Sequence, residues 1–289
     1  MKPARFEYCR PETLDEAVAL LAEFGSDAVV LAGGLSLGAM LNMRLVRPAA
    51  VIDINRVAGL GAVASANGAV VTGALVRQAA ALADRSLGAA VPLLALALPH
   101  VGHYQTRARG TLAGSVAHAD PSAELPLVLA TLGGEVELRA ASGARRVGAR
   151  AFFQGALTTA RAADELVTGL IWPRRGAAAG FAFEEFARRH GDFAIVAAAA
   201  LARVAEDGSI AELVLGLGGV EDRPVIVAEA RFVGAPATPE TAREIAASAA
   251  RAVDPMADPQ ASASYRRQLV AALGARVLRR AFEPAAREG

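Results

Sequence analysis

The chain has 289 residues, of which 54% are hydrophobic but only 5% aromatic, so a sizeable core is available and Ala and Val must fill most of it. Lys and Arg number 30 against 29 Asp and Glu, a formal net charge of +1, which excludes the concentrated basic face of a nucleic-acid binder. The single cysteine, Cys9, excludes an internal disulfide and a cysteine-ligated iron–sulfur cluster, which needs about four thiolates. Any such cluster belongs on a partner.

The opening residues MKPARFEYCRPE contain no apolar stretch of the signal-peptide kind. The longest apolar run, 194–202, is far shorter than the roughly 18–20 residues that span a bilayer. A cytoplasmic protein with no integral membrane segment is expected.

Taken in chain order, Phe6–Tyr8 reads as a short strand. Thr13-Leu14-Asp15-Glu16 is a capping box, opening a helix in which Leu14, Ala17, Val18 and Leu21 recur at helical spacing until Gly25 stops it. The apolar strand Val29–Leu31 runs directly into Ala32-Gly33-Gly34-Leu35-Ser36, and a further strand follows at Val51–Ile54. Strands are predicted at Ala69–Thr72, Glu135–Arg139 and Leu166–Trp172, with helices around Val76–Ala83, Pro92–Leu98 and Glu124–Leu132. Arg174-Arg175-Gly176 with Ala177–Gly180 reads as a linker, since small residues follow a strand that ends in proline. Beyond it, Phe181–Phe186 alternates, and Ala194–Val204 and Ile210–Leu217 flank the hairpin signal Asp207-Gly208. Two helices end the chain. One starts at Thr238-Pro239-Glu240, and the other runs from about Tyr265 to Ala281 with Tyr265, Leu269, Leu273 and Val277 on one face.

Two stretches carry candidate chemistry. In Ala32–Ser36, two glycines after a buried strand allow a sharp turn and the convergence of successive N–H groups on an anion, with the Ser36 hydroxyl as a further donor. An ordinary strand-to-helix turn fits the same residues. The G-x-G-x-x-G fingerprint is absent, and Asp53 only loosely meets the ribose-binding acid that would accompany it. The second stretch, Arg109 to Pro121, is rich in small residues, with hydroxyls at Thr111 and Ser115 and an acid at Asp120. It can wrap a diphosphate from the other side, or serve as a buried glycine turn. His100 and His103, with His118 and Asp120, make too thin a set for a metal site. Cys9 reads as a small buried hydrophobe, Arg188-Arg189-His190 as a solvated face, and the Arg145-Arg146 pair as surface charge. Asp192 reads as ordering the turn into the following strand.

Together the two stretches resemble the FAD-binding medium subunit of the molybdenum hydroxylases, the family of carbon monoxide and xanthine dehydrogenases. The family's first loop, A-G-G-x-S, is matched in full. Its second, T-x-G-G-N with a following D-P, is similar to Thr111-Leu112-Ala113-Gly114-Ser115 with Asp120-Pro121. The likeness continues through Arg44, Pro48, Phe152–Thr159, Glu165-Leu166, Arg189–Ala194 and Ser264-Tyr265-Arg266, nearly the whole chain in order.

The resemblance implies an α+β fold: a two-lobed FAD-binding domain of the vanillyl-alcohol-oxidase kind over 1–176, with lobes of about 1–56 and 57–176, and a smaller α+β domain over 177–289. It implies that FAD meets Ala32, Gly33, Gly34, Leu35, Ser36 and Leu37 on one wall and Thr111, Ala113, Gly114 and Ser115 on the other. Val101, Asp120, Glu124 and Leu166 complete the implied cofactor set, with no metal ligand and no catalytic acid or base. The implied partners are a large molybdenum-cofactor subunit and a small [2Fe–2S] subunit, assembled as a dimer of heterotrimers. Electrons then pass from the partner clusters through FAD to an external acceptor. Two departures from the motif, Ala113 for glycine and Ser115 for asparagine, bear on cofactor affinity: a Cβ at position 113 is harmless at negative φ and costs about 1 kcal/mol at positive φ. A stand-alone FAD oxidase and a flavin-free structural subunit are the alternative readings.

Overall fold

The computed structural model describes residues 2–176, 178–227 and 230–283. Its first elements follow from local chemistry. After β1 (Glu7–Cys9), the Thr13 hydroxyl accepts the Glu16 N–H at 3.2 Å while the Glu16 carboxylate accepts the Thr13 N–H at 3.3 Å, so both ends of the capping box close on α1 (Leu14–Phe24). β2 (Ala28–Leu31), α2 (Leu35–Asn42) and β3 (Ala50–Asp53) follow. β3 lies between β1 and β2 and pairs with both in parallel.

Next come β4 (Val63–Ala66) and β5 (Ala69–Gly73), then a run of short helices: α3 (Gln78–Ala83), α4 (Arg85–Ala90), α5 (Pro92–Ala97), α6 (Tyr104–Arg109), α7 (Leu112–His118) and α8 (Glu124–Leu132). β6 (Glu135–Ala140), β7 (Gly143–Gly148), α9 (Ala149–Phe152), the small hairpin of β8 (Phe153–Gly155) and β9 (Thr158–Thr159), and β10 (Leu166–Pro173) complete this part. β10 is the centre of an antiparallel sheet of order β4-β5-β10-β6-β7. The lone tryptophan, Trp172, is buried there, and its indole N–H donates to Thr72 Oγ1 at 2.9 Å.

The last third is an antiparallel meander of β11 (Ala179–Phe186), β12 (Val196–Val204), β13 (Ile210–Gly218) and β14 (Val225–Val227), backed by α10 (Pro239–Ala252) and α11 (Ala263–Phe282). β12 is apolar almost throughout because both of its faces are covered. Ala197, Ala199 and Leu201 join the core that also contains α5 and α8, while Ala198, Ala200 and Ala202 join the core beneath α10 and α11. All nine residues of α8 are buried. Small side chains let the layers approach: a β-carbon on Gly274 of α11 would stand 3.1 Å from Ala246 Cβ of α10.

Three expectations are corrected here. The buried face of α11 runs through Arg266, Val270, Leu273 and Val277, while Tyr265 is 39% exposed, because the helix is turned to seat Arg266. The segment read as a linker is fastened: Arg175 donates to the Leu132 carbonyl at 2.9 Å and to Glu212 at 3.2 Å, and β11 has begun by Ala179, with Ala177 outside the described residues. Most consequentially, the stretch after Thr111, which reads as a diphosphate-wrapping loop or a buried glycine turn, is a helix, α7. Among the described residues no helix is long and apolar enough to cross a membrane.

Candidate functional site

β2 delivers Ala32–Ser36 to the wall of a cavity of about 480 Å³. At Gly34 the backbone takes φ +77°, a region open to glycine and strained for a residue with a β-carbon, and this turn starts α2. The first helical bond of α2 runs from the Gly38 N–H to the Gly34 carbonyl at 2.9 Å, so the N–H groups of Leu35, Ser36 and Leu37 have no acceptor within the helix. On the facing side Thr111 begins α7, its Oγ1 accepting the Gly114 N–H at 2.9 Å. The two turns touch at Gly33. A β-carbon there would lie 2.7 Å from the Arg109 carbonyl oxygen and 2.9 Å from Gly110 Cα. Ala113 lies in helical backbone and is not a positive-φ residue, so its β-carbon carries no left-handed strain.

Behind the turns runs a polar brace that sequence reasoning missed. Tyr8 donates its hydroxyl to Asp53 Oδ2, and Asp53 Oδ1 accepts from the Asn55 main chain at 2.9 Å and side chain at 2.6 Å. Asn55 Nδ2 also donates to the Ala32 carbonyl at 2.9 Å, while its Oδ1 accepts from Arg77 Nη2 at 2.5 Å. Arg77 Nη1 donates to the Arg109 carbonyl. Asp53 is therefore an anchor within the brace, and its two oxygens are engaged by Tyr8 and Asn55 rather than free for a ribose.

The remaining walls come from further along the chain. Val101, Thr106 and Gln78 border the second turn. Ala119, with φ +53°, turns the chain toward Asp120, whose carboxylate accepts the Ser122 N–H at 2.8 Å. Glu124 opens α8 and is 4% exposed; burial pushes its carboxyl up to about 7, the nearby Glu185 adding to the rise and His100 opposing it. His100 Nδ1 stands 3.4 Å from Glu185 Oε1, which raises the imidazole above its ordinary value. Leu166 and Glu165 line the cavity at the start of β10. The Arg145 guanidinium grips Glu165 at 2.5 and 2.8 Å and holds its carboxyl below the usual range, so this arginine is a structural partner and not idle surface charge.

Every residue assigned to the cofactor from the sequence borders this one cavity: Ala32, Gly33, Gly34, Leu35, Ser36, Leu37, Val101, Thr111, Ala113, Gly114, Ser115, Asp120, Glu124 and Leu166. Arg161, Asp192 and Phe193 border it too and were not assigned. Asp192 does order its turn, accepting from Arg189 Nε at 3.1 Å, but that turn reaches the cavity, and the His190 ring stacks on His100. Arg188, Arg189 and His190 are exposed, as a solvated face should be, and the pocket wall begins only at Gly191.

Comparison with known proteins places the chain in a family. The family of the FAD binding domain in molybdopterin dehydrogenase matches residues 4–175, and that of the CO dehydrogenase flavoprotein C-terminal domain matches residues 181–281. The 6-hydroxypseudooxynicotine dehydrogenase complex subunit alpha of Paenarthrobacter nicotinovorans is 34% identical, covering 99% of this chain and 97% of its own. Caffeine dehydrogenase subunit beta of Pseudomonas sp. (strain CBB1) is 35% identical over 98% and 97%. The reconstituted CO dehydrogenase from Oligotropha carboxidovorans superposes with a TM-score of 0.95 at 32% identity, covering 99% of this chain and 100% of the other. The chain belongs to the molybdenum hydroxylase family as an FAD-binding medium subunit.

Proposed function

We propose that the chain holds FAD with its diphosphate between the Ala32–Leu37 and Thr111–Ser115 turns. In this reading it is the electron-transfer subunit of a cytoplasmic molybdenum hydroxylase, carrying electrons from a small [2Fe–2S] partner to an external acceptor. Substrate oxidation belongs to a large molybdenum-cofactor partner, and the assembly is a dimer of heterotrimers. Residues 1–176 form the FAD-binding domain, with lobes of about 1–56 and 57–176, and 177–289 the C-terminal domain. The presence of one cysteine supports that division of labour, since the clusters need thiolates this chain lacks.

The observation that carries this reading is the meeting of the two turns at Gly33, beside a helix start whose N–H groups lack internal acceptors. Such a cradle suits an anion, because backbone donors and the helix dipole both favour negative charge. A cavity of about 480 Å³ is of the size that encloses a cofactor's larger part. Bound FAD supplies reversible one- and two-electron chemistry. The chain's own residues bind and orient: Leu35, Ser36 and Leu37 offer N–H groups, the Ser36 and Ser115 hydroxyls add donors, and Leu166 gives an apolar contact at the start of β10.

The test is the visible absorption of the purified full chain before and after incubation with FAD. Flavin bands that survive gel filtration are expected. Gly34→Val places a β-branched residue at φ +77°. That variant is expected to emerge colourless with the chain still folded; retention of a full complement of flavin would overturn the placement of the first turn.

A further inference from the structure

Neither Asn55 nor Arg77 borders the cavity, yet each touches the main chain of a turn that does. Asn55 Nδ2 donates to the Ala32 carbonyl at 2.9 Å. In a planar trans peptide the carbonyl and the following N–H point opposite ways. Fastening the Ala32 oxygen on the Asn55 side therefore aims the Gly33 N–H away from Asn55. Arg77 stands beside the other turn, just ahead of α3. Around it the Leu112 N–H donates to the Val76 carbonyl at 3.0 Å and the Gln78 N–H to the Gly110 carbonyl at 2.9 Å, so 76–78 and 110–112 form a short bridge. From that bridge the Arg77 guanidinium holds the Arg109 carbonyl with Nη1 and Asn55 Oδ1 at 2.5 Å with Nη2.

The Arg109 carbonyl is the atom that Gly33 abuts, so one guanidinium governs the spacing of both turns. Asp53 fixes Asn55 in turn, which sets the amide with its nitrogen toward Ala32 and its oxygen toward Arg77. The arrangement is planar, charge-assisted and specific to a guanidinium: an ammonium is a point charge and cannot present the same fork to two acceptors.

We infer that Asn55 and Arg77 are positioning residues for the cofactor's diphosphate, joining the two turns into one cradle without touching the ligand. This rests on the proposed placement of FAD. Its signature is selective: ligands that carry the diphosphate lose affinity when the brace is cut, while the fold of the empty chain is kept.

The experiment uses the full chain stripped of flavin, as wild type, Asn55→Ala, Arg77→Met and Arg77→Lys. FAD affinity is followed by quenching of flavin fluorescence, ADP is measured as its competitor, and the melting temperature of each empty chain is recorded. Arg77→Met is expected to weaken FAD and ADP by the same factor, roughly tenfold to a hundredfold, the range for hydrogen bonds to a charged group. Asn55→Ala is expected to act in the same direction, Arg77→Lys to recover part of the loss, and the empty chains to stay folded, with a modest fall in melting temperature whose size the affinity losses do not follow. Unchanged FAD affinity in both Asn55→Ala and Arg77→Met would overturn the inference. So would a loss for FAD that ADP does not share, or one that tracks a fall in the melting temperature of the empty chain. If the wild type itself binds FAD but the variants show one of these results, the brace is wrong and the site stands; if the wild type binds neither FAD nor ADP, the site reading fails and takes the inference with it.

Discussion

At the scale of single residues, Glu124 shows how burial changes what a carboxyl does. It is 4% exposed on the cavity wall, and desolvation lifts it from an ordinary 4.5 to about 7. The folded chain then binds a proton there that the unfolded chain has released, over the interval between those two values. That contribution to stability is complete below the ordinary value and is lost as pH rises through about 7. A shift of this size corresponds to roughly 3 kcal/mol at alkaline pH. Glu124→Gln keeps the shape without the charge, so it is expected to equal the wild type in urea midpoint near about pH 4 and exceed it near about pH 8.5. A wild type whose midpoint is the same at both pH values, relative to the variant, would show that Glu124 ionises as freely as a surface acid. The residue scale is also where the sequence was most legible. Gly33 and Gly34 were found because glycine is demanded by a close approach and a positive φ, and both demands are local. Asn55 and Arg77 were not, because their work consists of contacts with residues 22 to 32 positions away that no spacing rule encodes.

At the scale of elements, legibility followed length and periodicity. α1 has a capping box and an apolar repeat, and β12 has a long apolar run; both stood out. α7 is only seven residues of LAGSVAH, with glycine and serine inside it, so composition pointed to a loop although Thr111 is a sound N-cap. α2 is announced only by the strand-to-helix turn that Ala32–Ser36 also fits, since Ser36 and Gly38 weaken its helical signal. β7, GARRVG, is an edge strand with an exposed polar face and gives no apolar alternation to read. The apolar face of α11 was misjudged for a different reason. Arg266 sits on the buried side, 2% exposed, donating to the Ile195 carbonyl, to the Gly219 carbonyl at 2.5 Å and to Asp258 Oδ2 at 2.6 Å. A buried arginine reads as an exposed one from sequence, yet here it pins α11 to the start of β12 and the end of β13. Arg266→Met keeps most of the bulk and strands two carbonyls and a carboxylate. A loss of about 3–5 kcal/mol is expected in urea unfolding. A change under about 1 kcal/mol would mean that water replaces the guanidinium at all three acceptors.

At the scale of the whole molecule, the family boundaries at residues 175 and 181 divide the sequence more cleanly than they divide the core. Phe183, Ala194, Ala197, Ala199, Leu201 and Val214 of the C-terminal sheet belong to the same apolar cluster as Leu125, Leu127, Val128 and Leu129 of α8. That helix is apolar on every side because it lies between the two sheets, and Thr131, which satisfies its hydroxyl on the Leu127 carbonyl at 2.8 Å, occupies the space left by Gly216 of β13. The pocket repeats the pattern, since Gly191, Asp192 and Phe193 reach it from beyond the boundary. A shared core couples the stability of its two halves: neither can unfold without exposing the other's buried face. The full chain without flavin is therefore expected to give a single calorimetric transition whose van 't Hoff and calorimetric enthalpies agree. A Leu127→Ala substitution at the shared face, worth about 2–5 kcal/mol, is expected to move that transition as a whole. A C-terminal shoulder left at the wild-type temperature in Leu127→Ala would instead show that the sheet of β11–β14 with α10 and α11 holds its fold alone, and that α8 serves only the flavin side.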